Sequence, residues 1–380
     1  MKYYLIAGEA SGDLHGSNLM KELKKNDKEA HFRFFGGDLM QEVEDNLVRH
    51  YREMAFMGVI EVIFNIRAIK RNFRLCKSDL IRFNPDVVIL IDYPGFNMKI
   101  AKFAKKAGLK VYYYISPKIW AWKEWRIKKI KAFVDEMFTI LPFEAPFFEK
   151  YNYPVHYVGN PLVGFIEEYK MKSKPERGFR ENNGLDGRPI VAMLPGSRTQ
   201  EIKLILPVMA AMRQFYPGYQ FVISGAPSIP GDLYRSVLEG VQIPVLFNQT
   251  YDLLIHSYAA IVTSGTATLE TALFNVPQVV LYKMRGNKYL VKLLRAIFIK
   301  VDFFSLPNLV LNEEAVKELV MHEMTVENVK PELGRLLGDA DYRKGIIEKY
   351  DRLREIMGPP GAAKRAAQKM IELIRVRPGV

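Results

Sequence analysis

Short apolar runs alternate with helical patterns from the first residues of the chain, and this alternation restricts the fold more than any other feature of the sequence. Runs at 3–7, 32–35, 87–91, 111–115, 137–140 and 155–158 are interleaved with helical patterns near 14–25 and 99–107. Strands this uniformly apolar, separated by helices, imply a parallel sheet covered on both faces. Gly159-Asn160-Pro161 and a stretch at 170–188 rich in Lys, Glu, Asn, Gly and Pro break the series. It restarts with runs at 190–194, 221–224, 245–247, 260–263 and 279–282, and helical patterns near 202–215 and 268–274. A mostly helical tail follows from about 316 to 375.

A chain of 380 residues exceeds one ordinary core. The expected class is α/β, with Rossmann-like parallel-sheet domains at 1–168 and 189–345, a linker at 169–188 and a helical tail at 346–380. Open sheets of this kind bind ligands at the carboxyl ends of their strands, so the two domains are expected to face each other across a cleft that holds one active site.

The opening run ends at Glu9, without the length or cleavage site of a signal peptide. No stretch approaches the roughly 18 uncharged apolar residues of a membrane-spanning helix. A cytoplasmic protein is the expectation. The single cysteine, Cys76, permits no intrachain disulfide and no Cys-rich metal site, and apolar packing is its ordinary role. No metal or other cofactor is expected.

The formal net charge is +13, but three segments, 59–77, 118–131 and 283–300, hold 17 of the 55 basic and only 2 of the 42 acidic residues. Outside them the chain is close to neutral. Each segment also carries large apolar residues: Ile60, Phe64 and Phe73 beside Arg67; three tryptophans at 120, 122 and 125; Leu290, Leu293 and Phe298 in the third. This mixture suits an anionic membrane surface, where apolar burial and attraction to headgroups act together. Single-stranded nucleic acid uses a similar mixture, and an ordinary amphipathic helix also shows it. Its threefold recurrence favours the membrane surface over nucleic acid.

Five loops follow strands and carry the candidate chemistry. Gly8-Glu9-Ala10-Ser11-Gly12-Asp13-Leu14-His15-Gly16 departs from the dinucleotide-binding G-x-G-x-x-G, and its two acids would repel a pyrophosphate. They suit a sugar hydroxyl instead, with Glu9, Asp13 or His15 taking its proton; alternatively Ser11 and Asp13 only cap the helix. Asp92 of Asp92-Tyr93-Pro94-Gly95-Phe96-Asn97 ends a buried strand, where an unused charge is costly. Ser116-Pro117-Lys118-Ile119-Trp120 combines a cation with an indole, as an acylated or phosphorylated sugar would require, or forms a core aromatic cluster. In the second half, Gly196, Ser197 and Arg198 offer amides, a hydroxyl and a guanidinium to a diphosphate. Ser264, Gly265, Thr266 and Thr268 open another helix, with Glu270 one turn in to accept from a ribose.

The loops Gly8–Asp13, 57–62 (Met57 to Val62), Ser116–Trp122, 141–144, 159–162, 194–198, 264–270 and Leu306-Pro307-Asn308-Leu309 together strongly resemble those of the lipid A disaccharide synthases, in the same order. The resemblance implies an inverting GT-B glycosyltransferase of Gram-negative outer-membrane biogenesis. It implies transfer from UDP-2,3-diacylglucosamine to 2,3-diacylglucosamine 1-phosphate, giving a β-1,6-linked disaccharide 1-phosphate and UDP, at the cytoplasmic face of the inner membrane. Glu9, Arg198, Glu270 and Asn308 match family positions expected to touch the nucleotide or the reacting sugars. Ser11, Lys118, Trp120, Met57, Phe64 and Arg67 are the candidates for acceptor and lipid binding. A homodimer with an exchanged C-terminal tail is compatible with the resemblance, as is a tail packed back on the first domain. Many members carry a second acid where this chain has Gly95, so a base role there cannot be carried over. The remaining candidates rank Glu9, Asp92, Asp13, His15. The competing readings are a UDP-sugar 2-epimerase of the same architecture, which has no use for lipid-facing patches, and a basic non-enzymatic binding module, which has no use for paired nucleotide loops.

Overall fold

A computed structural model describes residues 1–54, 65–122, 124–172, 178–283 and 302–375, with backbone alone at 121 and 122. The chain forms two units, Met1–Pro161 with Pro360–Val380, and Leu162–Pro359. Among the described residues the first unit holds seven parallel strands: β1 (Lys2–Ala7), β2 (His31–Gly36), β3 (Leu47–His50), β4 (Val87–Ile91), β5 (Val111–Tyr114), β6 (Glu136–Thr139) and β7 (His156–Tyr157). Their order is β3-β2-β1-β4-β5-β6-β7. The second unit holds six: β8 (Ile190–Leu194), β9 (Gln220–Gly225), β10 (Val245–Phe247), β11 (Ser257–Thr263), β12 (Gln278–Tyr282) and β13 (Glu318–Val320), in the order β10-β9-β8-β11-β12-β13. These are the two Rossmann-like sheets expected from the alternation.

The apolar runs are continuous because both faces of each strand are covered. Tyr3, Leu5 and Ala7 point to one side of the first sheet, into a core closed by Leu19, Met20 and Leu23 of helix Ala10–Asn26 and by Ala366, Ala367, Met370 and Ile371 of helix Ala362–Arg375. Tyr4 and Ile6 point to the other side, against Cys76 and Leu80 of helix Ile66–Phe83 and Ile100, Ala101 and Ala104 of helix Pro94–Lys106. Period-two alternation thus persists, although neither face is polar. Cys76 packs in this core, where burial raises its thiol pKa far above the ordinary range.

Two edge strands were not apparent in the apolar pattern. β3 is short and half-buried, with Arg49 and His50 in it, and β13 lies inside the region expected to be helical. Helix Pro94–Lys106 starts five residues earlier than its periodicity suggests, because Pro94 is suited to a first helical turn. The polar stretch 169–188 carries structure in its described part. Helix Pro161–Lys172 runs into it, Tyr169 donates to Asp252 (2.7 Å), and Phe179 is buried and stacked on His256, with ring centroids 4.4 Å apart.

One buried charge ties helix Ile66–Phe83 to the first sheet. Asp79 accepts from the Tyr4 phenol (2.9 Å), Arg33 Nε (2.6 Å) and the Arg82 guanidinium (2.6 Å). Burial pushes its pKa up, but the two guanidiniums and the phenol outweigh that and hold it below the usual carboxylate value. Asp79→Ala leaves Arg33 without its partner and the Tyr4 hydroxyl without an acceptor, and is expected to lower the stability of the first unit by about 3 kcal/mol in urea denaturation at neutral pH. Because the native pKa is depressed, this contribution is complete above about pH 4 and fades as pH falls through the native value. Parent and variant should therefore converge in stability on acidification.

Candidate active site

In each sheet the chain leaves one central strand in opposite directions, so neighbouring connections diverge and open a crevice at the carboxyl edge. In the first sheet this switch lies between β1 and β4; in the second it lies between β8 and β11. The loops after these four strands hold most of the expected site residues.

After β1, Glu9 takes the N-cap position of helix Ala10–Asn26 without a side-chain cap bond, and Ser11 is exposed in the first turn. Asp13 does not cap its own helix. Its carboxylate turns to the short helix Asp38–Gln41 and accepts from the amides of Gly37 (2.7 Å), Leu39 (3.1 Å) and Met40 (3.1 Å), buried to 3% exposure. A carboxylate engaged by three amides positions that helix and is badly placed to accept a substrate proton. His15 keeps a partly accessible edge, but desolvation pushes its pKa down to about 4, so the ring is neutral at physiological pH and weakly basic.

After β4 the backbone is strained. Asp92 (φ 43°) and Tyr93 (φ 47°) are consecutive left-handed residues without glycine, and Ile115, after β5, is a third at φ 65°. Such conformations cost of order 1–3 kcal/mol each and persist where the surroundings impose them. Burial pushes the Asp92 carboxyl up, with Lys118 partly offsetting it, which places the Lys118 charge near Asp92. The Tyr93 ring lies over Gly8: a Cβ at that position would sit 2.2 Å from the ring, so only glycine fits there. Burial and then the charge of Glu9 raise the Tyr93 phenol, so Glu9 and Tyr93 share this corner.

The loops after β5 and β6 are joined by Glu144. It is buried to 2% exposure and accepts from the Ser116 hydroxyl and from the amides of Leu141 (2.9 Å) and Ile140 (3.2 Å). Burial raises its pKa and these donors oppose the rise. Trp120 is also buried, edge-on to Phe143 with ring centroids 4.8 Å apart, whereas Lys118 is exposed. Of the pair, Lys118 is open to a ligand and Trp120 shapes the loop beneath.

In the second unit, Gly196 (φ 104°) turns the chain into helix Thr199–Ala211, and Gly265 (φ 156°) turns it into helix Thr266–Leu273; neither helix has a side-chain cap. Uncapped first-turn amides on both sides of the switch suit an anion. Ser197 and Thr266 are exposed there. Arg198 is 75% exposed and loosely paired with Glu201 at 3.2 Å, a contact worth little in water, so its guanidinium can be redirected to a ligand. Glu270 receives the Tyr251 phenol at 2.7 Å and is pushed up by burial.

Two of the expected nucleotide contacts, Thr268 and Asn308, are bonded to neighbouring backbone. Thr268 is fully buried, donating to Gly265 O (2.8 Å) and accepting from Leu306 N (3.2 Å). Asn308 is fully buried too; its amide nitrogen donates to Val316 O (2.9 Å) and Glu318 (2.8 Å), and its oxygen accepts from Ala315 and Val316. Glu318 also accepts from the amides of Phe304 and Ser305, and Ser264 donates to Phe304 O (2.7 Å), so this segment is bound to the β11 loop.

Met57 and Phe64 lie outside the described residues, with the rest of 55–64; so do Lys123, the Trp122 side chain and the third basic segment apart from Lys283. Arg67 is exposed on helix Ile66–Phe83 and lines an open groove of about 1240 Å³ with Arg71, Arg74 and Lys77. Among the described residues no group of three His, Cys, Asp or Glu is arranged to hold a metal ion, and no helix is long and apolar enough to cross a membrane.

Sequence reasoning did not select Asn97, Glu144, Tyr251 or Glu318. The first two stand inside segments it had marked, as the last residues of Asp92–Asn97 and of Leu141-Pro142-Phe143-Glu144; the other two had no local signal.

The family model described as Lipid-A-disaccharide synthetase matches residues 3–369. A lipid-A-disaccharide synthase of Trichlorobacter lovleyi is 38% identical over 377 residues, covering 97% of both chains. One of Geobacter metallireducens is 39% identical over 377 residues, covering 97% of this chain and 96% of the relative. Among solved structures, UDP-GlcNAc 2-epimerase from Neisseria meningitidis bound to UDP-GlcNAc superposes with a TM-score of 0.71 at 15% identity, covering 98% of this chain and all of that one. The glycotransferase of kitacinnamycin gives 0.62 at 11% identity, with 98% of each chain covered. At these identities the structural likeness speaks to fold alone.

The environment of His15 leads to a direct test. Because its pKa is pushed down to about 4, its imidazole resonances should show no titration between about pH 5.5 and 8 in NMR spectra of the intact protein, whereas an exposed histidine titrates near 6.5. A midpoint near neutrality would restore His15 as a candidate base.

Proposed function

Because the chain belongs to the lipid-A-disaccharide synthetase family, we propose that it carries out that family's glycosyl transfer by a metal-independent displacement, with acids of the first unit acting on the acceptor and donors of the second acting on the diphosphate. The reaction moves 2,3-diacylglucosamine from UDP-2,3-diacylglucosamine to 2,3-diacylglucosamine 1-phosphate, releasing UDP. The epimerase reading rests on a fold that transferases share, and family membership removes it.

The acceptor 6-oxygen bonds to the anomeric carbon as that carbon's bond to the diphosphate breaks, so an α-linked donor gives a β-linked product. The proton of the hydroxyl passes to Asp92. Burial lifts this carboxyl toward the range in which a base works, while Asp13 is engaged by amides and His15 is weakly basic. Glu9, across the β1–β4 switch, orients the hydroxyl. The observation that carries the diphosphate half is the β8–β11 switch, where two uncapped helix N-termini, Gly196, Gly265, Ser197, Ser264 and Thr266 accompany a loosely held arginine. Arg198 and the amides offset the charge that grows on UDP, the task a divalent ion performs elsewhere. Glu270, steadied by Tyr251, receives the ribose hydroxyls. Thr268 and Asn308 hold these loops from below.

The first unit also supplies a surface for the lipid substrates. Arg67, Arg71, Arg74 and Lys77 line one groove with Ile81, and Trp125, 58% exposed, lies under the cations of Arg126 and Lys129. Cations around exposed apolar groups suit the anionic cytoplasmic face of the inner membrane.

UDP release from the purified protein with both acylated sugars tests the displacement. Asp92→Asn should lower turnover by about 10²-fold or more while UDP affinity is kept; Arg198→Ala should lower kcat/KM by about 10²-fold; excess EDTA should change neither rate. Loss of activity in EDTA, restored by a divalent ion, would reject the metal-free scheme. Sedimentation with vesicles tests the surface: binding should rise with anionic lipid, weaken with salt, and fall in a variant with Arg67, Arg71 and Arg74 replaced by Glu. Equal binding to neutral vesicles would count against it.

A further inference from the structure

We propose that Asn97 is a positioning residue for the reaction: its buried side-chain amide clamps the strained turn at Asp92 to the end of β1 and so fixes where the Asp92 carboxylate points. The inference rests on Asp92 being the base. Asn97 lies in the first turns of helix Pro94–Lys106 and is fully buried. Its Nδ2 lies within hydrogen-bond distance of three backbone oxygens, Asp92 at 2.7 Å, Ile91 at 3.2 Å and Ile6 at 3.3 Å, which share its two N–H groups. Ile91 ends β4 and Ile6 belongs to β1, so one side chain spans the two strands between which the first sheet reverses its connections.

The amide orientation follows from chemistry. Three carbonyl oxygens require a donor, and a flipped amide would set oxygen against oxygen. The Asp92 carbonyl also receives the buried Tyr113 phenol at 2.6 Å. Two independent donors thus converge on the carbonyl between two left-handed residues, where the chain would otherwise relax. Without them Asp92 and Tyr93 are free to return to ordinary backbone angles, and the carboxylate swings away from the mouth of the crevice.

The experiment compares Asn97→Asp, Asn97→Ser, Tyr113→Phe and Asp92→Asn in the full-length protein, measuring kcat, KM for both acylated sugars, the pH dependence of kcat, and affinity for UDP. Asn97→Asp replaces the donor with an isosteric acceptor; Tyr113→Phe removes one donor and keeps the ring, so it decides the matter if the Asn97 variants do not fold. The expected result is a kcat lowered by about 10²-fold for Asn97→Asp, and by a smaller factor for the other two, with KM and UDP affinity within about twofold and a displaced acidic limb of the kcat profile. Folded Asn97 and Tyr113 variants that keep the parental kcat and acidic limb, beside an inactive Asp92→Asn, would overturn the inference alone. Full turnover in Asp92→Asn would overturn the base assignment and the inference with it.

Discussion

Parallel strands can be covered on both faces only if the chain returns over one face or the other after each strand, and where it changes direction the sheet edge cannot be covered. That uncovered edge organises this protein. In both sheets the reversal lies beside the first strand of its unit, between β1 and β4 and between β8 and β11. In both, the flanking loops enter helices whose first-turn amides receive no side-chain cap. The chemistry then differs by residue choice: acids at the first reversal, glycines, hydroxyls and an arginine at the second.

Buried polar side chains hold these loops, both within a loop and between segments that are distant in sequence. Asp13 binds the amides opening helix Asp38–Gln41, Glu144 joins the loops after β5 and β6, and Asn308 with Glu318 folds the segment 304–318 under the β11 loop. A fully satisfied buried network is rigid because any departure leaves a donor or acceptor without a partner in a low-dielectric interior. The left-handed Asp92, Tyr93 and Ile115 are therefore held by surroundings that would lose hydrogen bonds if these residues relaxed.

Apolar runs such as Val87–Ile91 and Ile190–Leu194 were legible to the residue, since a strand buried on both faces has little freedom in composition. β3 and β13 were not, because edge strands are half-exposed and their residues read as loop or helix. The same divide runs through the site. Glu9, Arg198 and Gly196 stand at strand-to-helix turns, where spacing reveals them. Asp13 looked equally chemical, yet its role depends on helix Asp38–Gln41, which starts 25 positions later. Asn308 and Thr268 were recognised as special, but their bonds to neighbouring segments were not legible, since sequence marks a constrained position without saying whether the constraint faces a ligand or the protein. Tyr251 and Glu318 were invisible because their importance lies entirely in contacts made across the fold.

Helix Ala362–Arg375 supplies part of the wall behind β1, β4 and β5, although the whole of Leu162–Pro359 separates it from the other elements of that unit. During synthesis the N-terminal sheet therefore waits, with Tyr3, Leu5, Ile89 and Tyr114 facing a missing layer, while the second unit emerges with its own core intact. The usual order of assembly on the ribosome is inverted: the half made first is finished last. An abortive chain that stops before residue 362 would carry a sound second unit beside an open apolar sheet, a species for chaperones and proteases to find.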